Sequence, residues 1–213
     1  MTRGRFITIE GGEGAGKSTQ VERLIAALTR AGITARRTRE PGGSENAEAI
    51  RHLLLEGARD RWDAISEALL LYAARRDHVC RHIEPALKRG EWVVCDRFAD
   101  STIAYQGYGR GLPLAELRAL HRFTLGDFQP DVTLILDLSV DQGLTRASLR
   151  PEAADRFERL DRNFHERLRK GFREIAAANP QRCVVIDAAA GVDAVHRGIV
   201  RAISSTLGVA VLP

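Results

Sequence analysis

A glycine-rich segment that joins a strand pattern to a helix pattern constrains this chain more than any other feature. Residues 11–18 read GGEGAGKS, which fits the spacing G-x4-G-K-S/T. A short apolar run at residues 6–10 precedes the segment, and apolar residues at helical spacing follow it over residues 18–31. Glycines let successive backbone N–H groups turn towards a phosphate, and a helix N-terminus adds partial positive charge. We therefore predict a phosphate-binding loop after the first strand of a parallel sheet.

The residues of this loop have roles that follow from the chemistry of nucleotide phosphates. The Lys17 ammonium would reach the β- and γ-phosphates, and the Ser18 hydroxyl would bind Mg²⁺. The motif predicts a nucleotide but leaves the reaction open. The chain has neither an Asn-Lys-x-Asp guanine motif nor an LSGGQ-like stretch, which disfavours a GTPase and a transport ATPase. A small kinase remains, and ATP is expected on Gly11, Gly12, Glu13, Gly14, Ala15, Gly16, Lys17, Ser18 and Thr19.

The rest of the chain is organised as one α/β domain. Five short apolar strand patterns alternate with helix patterns, which predicts a parallel sheet with helices on both faces over residues 1–213. Glycines at positions 107, 109 and 111 predict a loop over residues 99–112. Residues 64–89 form one long helix pattern, with a bend expected near Pro85.

Composition excludes several classes of protein. Apolar residues make up 44% of the chain and charged residues 28%, as in ordinary globular domains. The longest apolar run, at residues 68–74, is far too short to cross a bilayer, so we expect no membrane partner. The first residues enter a strand pattern directly, and we expect no secretory signal. The three cysteines are widely spaced and form no CxxC pair, which favours a reducing cytoplasm over a disulfide framework or a metal site.

The basic residues are almost all arginine. The 32 basic side chains are 29 Arg and three Lys, against 28 acidic side chains, and the net charge is +4. Acids are interleaved with the bases, and this weak field disfavours nonspecific binding of nucleic acid. Two alternatives to be distinguished by experiment are a nucleic-acid-dependent ATPase and a kinase that acts on a nucleoside monophosphate or a deoxynucleoside.

A second group of polar residues follows another strand pattern. Asp96 and Arg97 come directly after the buried run at residues 92–95, and the carboxyl ends of parallel strands face the crevice where ligands bind. Asp96 could hold Mg²⁺ through water, together with Ser18, or accept a hydrogen bond from the attacking group. The Arg97 guanidinium could clamp a phosphate with two N–H groups. Hydroxyl and amide groups that suit a base or a sugar follow at Ser101, Thr102, Tyr105 and Gln106.

Five segments of the chain match one known family in the same order. They read IEGGEGAGKST, TREPGG, LLLYAAR, DRFADSTIAYQG and LILDLS, and they extend from Phe6 to about Asp187. Together they resemble the thymidylate kinase family of the bacterial type. The resemblance implies a P-loop kinase fold with a short mobile lid at about residues 146–158. It also implies a homodimer that transfers the γ-phosphate of ATP to dTMP, with Mg²⁺.

The resemblance assigns residues of this chain to the acceptor nucleotide. Glu13 matches a carboxylate near the deoxyribose 3′-hydroxyl, where an acceptor reads a hydroxyl donor. Tyr105 matches an aromatic residue against the sugar 2′ carbon, which would disfavour a ribonucleotide. The other matched positions hold the dTMP phosphate (Arg51 and Arg97), bond the thymine carbonyl (Arg75), line the acceptor site (Arg39 and Glu40) or contact the base (Thr102 and Gln106).

One position departs from the pattern of the family. Many members stack a phenylalanine on the thymine ring where this chain has Leu71. A leucine keeps an apolar face but loses offset stacking, which contributes about 0.5–1.5 kcal/mol. An alignment shifted by one residue would make Tyr72 the platform instead. On a helix that shift rotates the side chain by about 100°, so only one of the two can face the site.

The catalytic arginine is expected from the lid. Some members of the family carry an arginine in the phosphate loop, where this chain has Gly14. The chain therefore resembles the type in which a lid arginine supplies the positive charge that stabilises phosphoryl transfer. We expect lid closure to expel water and to bring in Arg150 or Arg156, with Arg146 beside ATP. The arginines of residues 159–173 alternate with acids and predict a solvated helix face with intrahelical ion pairs. Residues 187–189 resemble the family's loop near adenine.

Overall fold

Five parallel strands form the centre of the fold, in the order β2-β3-β1-β4-β5. The structure is a computed structural model that describes residues 2–58, 60–149, 156–157 and 159–212. The strand order confirms the five-stranded parallel sheet predicted from the sequence. The strands are Phe6–Gly11 (β1), Ala35–Arg39 (β2), Trp92–Asp96 (β3), Val132–Asp137 (β4) and Cys183–Asp187 (β5).

The register of the inner strands decides which residues meet at the carboxyl edge of the sheet. In β1, Ile9 pairs with Asp96 of β3, and Gly11 pairs with Leu136 of β4. The glycine-rich segment therefore leaves the sheet beside Asp96. β2 lies at one edge of the sheet, where its exposed arginines remain in solvent, and this explains why its sequence, ARRTR, is polar.

Helices of the described residues cover both faces of the sheet. On one face, Leu24 of α1 and Ile199 of α9 pack against β1 and β4. On the other face, Leu168 of α8 and Leu87 of α4 belong to two further apolar clusters. None of these helices is long and apolar enough to cross a membrane. The helices are Lys17–Arg30 (α1), Glu45–Leu55 (α2), Ala64–His78 (α3), Glu84–Lys88 (α4), Ala99–Thr102 (α5), Leu114–Leu125 (α6), Val140–Ser148 (α7), Arg162–Ala178 (α8) and Val192–Leu207 (α9).

The long helix predicted over residues 64–89 contains one wide turn. α3 continues through a π-helical segment, Val79–Ile83, directly into α4. The wide turn stands immediately before Pro85, which has no N–H to donate to the preceding turn. The irregularity therefore lies where the proline interrupts the hydrogen-bond ladder.

The loop predicted over residues 99–112 is wrong for most of its length. α5 and a second π-helical segment, Ile103–Gly109, occupy it. A Cβ on Gly107 would lie 2.5 Å from Leu114 Cδ2, and a Cβ on Gly109 would lie 2.4 Å from Phe164 Cε2. Close packing against α6 and α8, rather than a turn, therefore requires glycine at these two positions.

Candidate active site

A cavity of about 520 Å³ opens at the carboxyl edge of the sheet, between the phosphate loop, α2, α3 and α5. Its wall brings together most of the residues that the sequence singled out. They come from six separate parts of the chain, which the parallel topology places at one edge. Its wall includes Glu13, Gly14, Gly16, Lys17, Ser18, Thr19, Arg39, Glu40, Arg51, Leu71, Arg75, Asp96, Arg97, Ser101, Thr102, Tyr105, Gln106 and Arg146.

The phosphate loop owes its shape to glycines in backbone conformations that favour glycine. Gly14 and Gly16 have φ angles of 66° and 86°, in the left-handed region that favours glycine. A Cβ on Gly14 would lie 2.1 Å from the carbonyl oxygen of Gly143 in α7. The close approach of α7 explains why this loop has no side chain where other members carry an arginine.

The polar groups of the loop point to a phosphate and a metal. The Lys17 ammonium is buried and donates to the Gly12 carbonyl oxygen at 2.8 Å. Burial lowers the pKa of Lys17, and Arg97 acts in the same direction. Ser18 Oγ donates to Asp96 Oδ2 at 2.6 Å. Mg²⁺ prefers oxygen ligands and often takes only one or two from the protein, the others coming from water and phosphate, so Ser18 and Asp96 fit it.

Arg97 and Glu13 form a partly buried ion pair beside the loop. Arg97 has a φ of 68°, unusual for a residue with a side chain, and its Nη1 donates to the Gly11 carbonyl oxygen at 2.9 Å. Its Nη2 donates to Glu13 Oε1 at 2.8 Å, and the Tyr105 hydroxyl donates to the same oxygen at 2.5 Å. Burial alone would raise the pKa of Glu13, but Arg97, Lys17 and the Tyr105 hydroxyl outweigh it and lower that pKa to about 2.

Glu10, a residue of β1, supports this arrangement from inside the sheet, and it was not among the residues predicted from the sequence. Its side chain is fully buried, accepts the Phe98 N–H at 2.7 Å and lies 2.5 Å from Ser101 Oγ. Burial, with Asp100 nearby, raises the pKa of Glu10 to about 8. The one signal in the sequence is a charged residue in an otherwise apolar strand. Glu10 therefore fixes the backbone that follows Arg97.

Arg75 presents one unpartnered donor to the cleft. It is 2% exposed, its Nε donates to Glu40 Oε2 at 2.7 Å, and its Nη2 donates to Thr102 Oγ1 at 3.0 Å. His78, also missed from the sequence, approaches the other oxygen of Glu40 at 3.1 Å. Nη1 is buried and has no hydrogen-bond partner among the described residues. A buried donor without a partner is costly, which indicates a ligand acceptor at this point.

Gln106 presents a matching unpartnered acceptor. Its Nε2 donates to Glu67 Oε2 at 2.9 Å, while its Oε1 is buried and has no partner in the described part of the chain. Glu67 was not singled out from the sequence. Its position four residues before Leu71 and eight before Arg75 places the three on one face of α3, a spacing that could have identified it.

The structure places Leu71, rather than Tyr72, on the wall of the cleft. Tyr72 is 1% exposed, and its hydroxyl lies 3.4 Å from His121 Nδ1. The Arg75 guanidinium lies over the Tyr72 ring, 4.7 Å from its centre. Tyr72 therefore packs behind the wall, and Leu71 is the side chain that faces the cleft.

The remaining arginines of the acceptor side lie at the mouth of the cleft. Arg39 forms a partly exposed ion pair with Glu48 at 3.1 Å. Arg51 Nη1 donates to the Pro41 carbonyl oxygen at 2.7 Å. Arg39 is thus held by a residue of α2, and Arg51 of α2 is held by the turn that follows Arg39, so these contacts tie β2, the turn and α2 together.

The lid arginines fall in three different settings. Arg146 Nη1 donates to the Ala188 carbonyl oxygen at 3.1 Å, which ties α7 to the turn after β5. Arg150 lies outside the described residues. Arg156 is fully buried, donates to the Leu54 carbonyl oxygen at 3.0 Å and lies 2.7 Å from Glu67 Oε1. Its side chain is not on the cleft wall in this structure, unlike the mobile lid arginine expected from the sequence.

The arginines of α8 also differ from the expected solvated face. Arg169 makes a two-point ion pair with Asp137 of β4 at 2.7 and 3.0 Å. Arg162 pairs in the same way with Asp141 of α7 at 2.9 and 3.0 Å, while its intrahelical pair with Glu166 is longer, 3.5 Å. These arginines therefore connect α8 to neighbouring elements as well as facing solvent.

A glycine-rich phosphate loop at the carboxyl edge of a parallel sheet, with an arginine-lined space beside it, defines a P-loop kinase.

The family model for thymidylate kinase matches residues 9–199. The thymidylate kinase of Caulobacter vibrioides is 56% identical over 208 residues, covering 98% of this chain and 100% of that protein. The thymidylate kinase of Nitrobacter hamburgensis is 55% identical over 202 residues, covering 93% and 87%. The crystal structure of thymidylate kinase from Ehrlichia chaffeensis superposes with a TM-score of 0.74 at 36% identity, covering 94% of this chain and 99% of that chain. The chain belongs to the thymidylate kinase family.

Proposed function

We propose that this cleft transfers the γ-phosphate of ATP to dTMP, giving dTDP and ADP with Mg²⁺. This is the reaction of the thymidylate kinase family, to which the chain belongs. One observation carries the assignment of the acceptor: the donor Arg75 Nη1 and the acceptor Gln106 Oε1, both buried and unpartnered among the described residues, line one cleft. A free donor and a free acceptor in one cleft match the O4 and the N3–H of thymine.

The phosphate loop holds ATP in this proposal. Backbone N–H groups of residues 11–19 surround the β- and γ-phosphates, at the N-terminus of α1. Lys17 exchanges its contact with the Gly12 carbonyl for phosphate oxygens. Arg146, tied to Ala188 at the turn after β5, flanks the adenosine side.

The acceptor nucleotide occupies the other half of the cleft. Its phosphate faces Arg97 and Arg51, and its base lies against Leu71 with Arg75 and Gln106 at its edge. The Glu13 carboxylate, fixed by Arg97, accepts the deoxyribose 3′-hydroxyl. Tyr105 lies beside the sugar, where its ring would disfavour a 2′-hydroxyl. The remaining matched groups, Arg39, Glu40, Ser101 and Thr102, line this half or support the groups that touch dTMP.

Transfer follows from placing the two phosphates in line. An anionic oxygen of the dTMP phosphate attacks the γ-phosphorus, and the bond from that phosphorus to the β–γ bridging oxygen breaks with its electron pair leaving on ADP. That oxygen is already a nucleophile, so Asp96 organises the site rather than removing a proton. Mg²⁺, held through Ser18 and Asp96, would neutralise charge on the β- and γ-phosphate oxygens. Lys17, Arg97 and the lid arginine Arg150 stabilise the charge that moves between the nucleotides, while Arg156 is buried against Glu67.

A panel of acceptors tests the substrate. ADP release is measured for the purified protein with dTMP, dUMP, dCMP, AMP, GMP and thymidine. We expect dTMP to give the highest kcat/KM and thymidine, which lacks the accepting phosphate, to give none. Faster turnover of dCMP, AMP or GMP would contradict the assignment, and so would ATP hydrolysis that DNA stimulates with a steep dependence on salt.

A matched pair of lysine variants tests the site. Lys17→Met is expected to lower kcat with dTMP by at least about 10²–10³-fold, because the phosphates lose their only loop ammonium. Lys88→Met is the control, since Lys88 lies exposed on α4 in an ion pair with Glu84. Circular dichroism and thermal melts check that both variants fold. A Lys17→Met protein with the kcat of the wild type would refute the proposed site.

The assembly and setting of the enzyme are part of the same proposal. We place it in the cytoplasm, consistent with its free thiols Cys80, Cys95 and Cys183, as one domain over residues 1–213 with a lid at about residues 146–158. A homodimer suits the apolar side chains of α3 and α6, where Ile65, Leu69 and Phe123 are 62%, 53% and 88% exposed. Light scattering should give twice the 23.5 kDa chain mass at micromolar concentration. A monomer mass would exclude the dimer.

A further inference from the structure

The Gln106 side chain is held by a carboxylate that does not line the cleft. Gln106 is 1% exposed, and its Nε2 donates to Glu67 Oε2 at 2.9 Å. A carboxylate can only accept, so the nitrogen of the amide must face Glu67. Oε1 then faces away from Glu67, and it is the atom that has no partner among the described residues.

Glu67 is itself fixed from the other side. It is fully buried, and its Oε1 lies 2.8 Å from Arg110 Nη2 and 2.7 Å from Arg156 Nη1. Guanidinium groups only donate, so these two arginines occupy Oε1 and leave Oε2 to Gln106. One carboxylate thereby joins α3, the π-helical segment Ile103–Gly109 and the end of the lid region.

We propose that Glu67 is a positioning residue for base selection, because it makes the Gln106 amide present its oxygen, and not its nitrogen, to the acceptor base. The inference rests on the proposed function and extends it. An oxygen at this point accepts the N3–H of thymine. Cytosine carries an unprotonated N3, which would meet this oxygen as a second acceptor.

The amide could suit cytosine only by turning over. That rotation would place Gln106 Oε1 against Glu67 Oε2, two acceptors with no proton between them. A buried contact of this kind is strongly unfavourable because neither atom can be solvated. Glu67 therefore selects against dCMP without touching it, in addition to any selection by the Arg75 donor.

The variant Glu67→Gln tests the inference. In this variant the two guanidinium groups can only donate, so they hold the amide oxygen of residue 67 and leave its nitrogen facing Gln106. That nitrogen donates to Gln106 Oε1, which turns the nitrogen of Gln106 towards the base. We expect the ratio of kcat/KM for dTMP to kcat/KM for dCMP to fall by at least about tenfold, through a loss with dTMP and a gain with dCMP. In a Gln106→Leu background, Glu67→Gln should leave the ratio unchanged, because the amide through which it acts is absent.

Arg110→Gln is the matched control for a purely structural role. It removes a charge from the same cluster but leaves the bond between Glu67 Oε2 and Gln106 in place. We expect a lower melting temperature with an unchanged dTMP to dCMP ratio. An unchanged ratio in Glu67→Gln, or an equal fall in Arg110→Gln, would overturn the inference.

The orientation of the amide can also be measured in the wild-type protein, which covers the case that Glu67→Gln does not fold. In a neutron structure with bound dTMP, deuterons are expected on the Gln106 atom that faces Glu67, and none on the atom that faces the base. The reverse assignment would overturn the inference. Failure of the wild-type protein to phosphorylate dTMP would instead refute the proposed function, while the orientation of the amide remained a separate result.

Discussion

At the scale of single residues, four polar side chains of the cleft are each held by a carboxylate. An isolated arginine or glutamine side chain has many rotamers, and a buried acceptor selects one of them. The supporting acids are more deeply buried than most of the groups they hold, so the cleft is organised before a ligand arrives. The pairs are Glu13 with Arg97, Glu40 with Arg75, Glu67 with Gln106, and Glu10 with Ser101.

These pairs show how far the sequence could define the site. Lys17 and Ser18 follow from a local motif, because loop and helix lie next to each other in the chain. Glu67 and Gln106 are 39 residues apart, and only the fold brings them together. Arg156 illustrates the same limit, since its burial against Glu67 depends on a tertiary contact 89 residues away in sequence.

Leu71 allows a direct test of the base platform. Leu71→Phe would supply a ring on the cleft wall, and offset stacking on thymine contributes about 0.5–1.5 kcal/mol. We expect the Kd for dTMP to fall about two- to twelvefold, measured by isothermal titration calorimetry.

Tyr72→Phe is the control for this prediction. It removes only the hydroxyl near His121, behind the wall, and should leave the Kd for dTMP unchanged. If Leu71→Phe leaves the Kd for dTMP unchanged, the base does not lie against residue 71 and the assignment of the platform to Leu71 is wrong.

At the scale of elements, glycines set how closely neighbouring segments approach. α8 and the π-helical segment Ile103–Gly109 interlock in both directions: Gly109 receives the Phe164 ring, and Gly171 of α8 receives the Tyr108 ring. The sequence showed the glycines but not their neighbours, so the pattern predicted a loop where the structure has a helix. Their meaning depends on packing between segments, which periodicity does not encode.

Gly109→Ala tests this packing. The added Cβ would lie 2.4 Å from Phe164 Cε2, in a filled core cluster. Overpacking of this kind costs about 1–3 kcal/mol, so we expect the free energy of unfolding in urea to fall by that amount.

Gly191→Ala is the matched control for Gly109→Ala. A Cβ there would meet nothing within 4 Å, and the φ of −61° suits alanine. We expect a change within about 0.5 kcal/mol. Equal destabilisation by both variants would show that the flexibility of glycine, and not the contact with Phe164, decides the cost.

At the scale of the whole molecule, two carboxylates of the phosphate-loop region couple folding to pH in opposite ways. The pKa of Glu10 is raised to about 8, chiefly by burial, and the pKa of Glu13 is lowered to about 2, mainly by Arg97 against the effect of burial. A raised pKa stabilises the folded protein below the unfolded value of 4.5, and that contribution is lost as the pH rises towards 8. A lowered pKa contributes above 4.5 and is lost only as the pH falls towards 2.

The difference in unfolding free energy between wild type and Glu10→Gln isolates the first of these effects. The amide resembles the protonated carboxyl, so the variant does not titrate. Between pH 5 and pH 8 the folded wild type binds the extra proton, and its stability relative to Glu10→Gln should fall by up to about 1.4 kcal/mol per pH unit, then level off above pH 8. Urea unfolding at five pH values measures this difference in stability.

The corresponding difference for Glu13→Gln should stay flat from pH 5 to pH 9, because Glu13 is already ionised in both states. A difference for Glu10→Gln that is flat or rises with pH would mean that Glu10 is ionised in the folded protein at neutral pH, and that the turn after Arg97 is held by a charge rather than by a neutral acid.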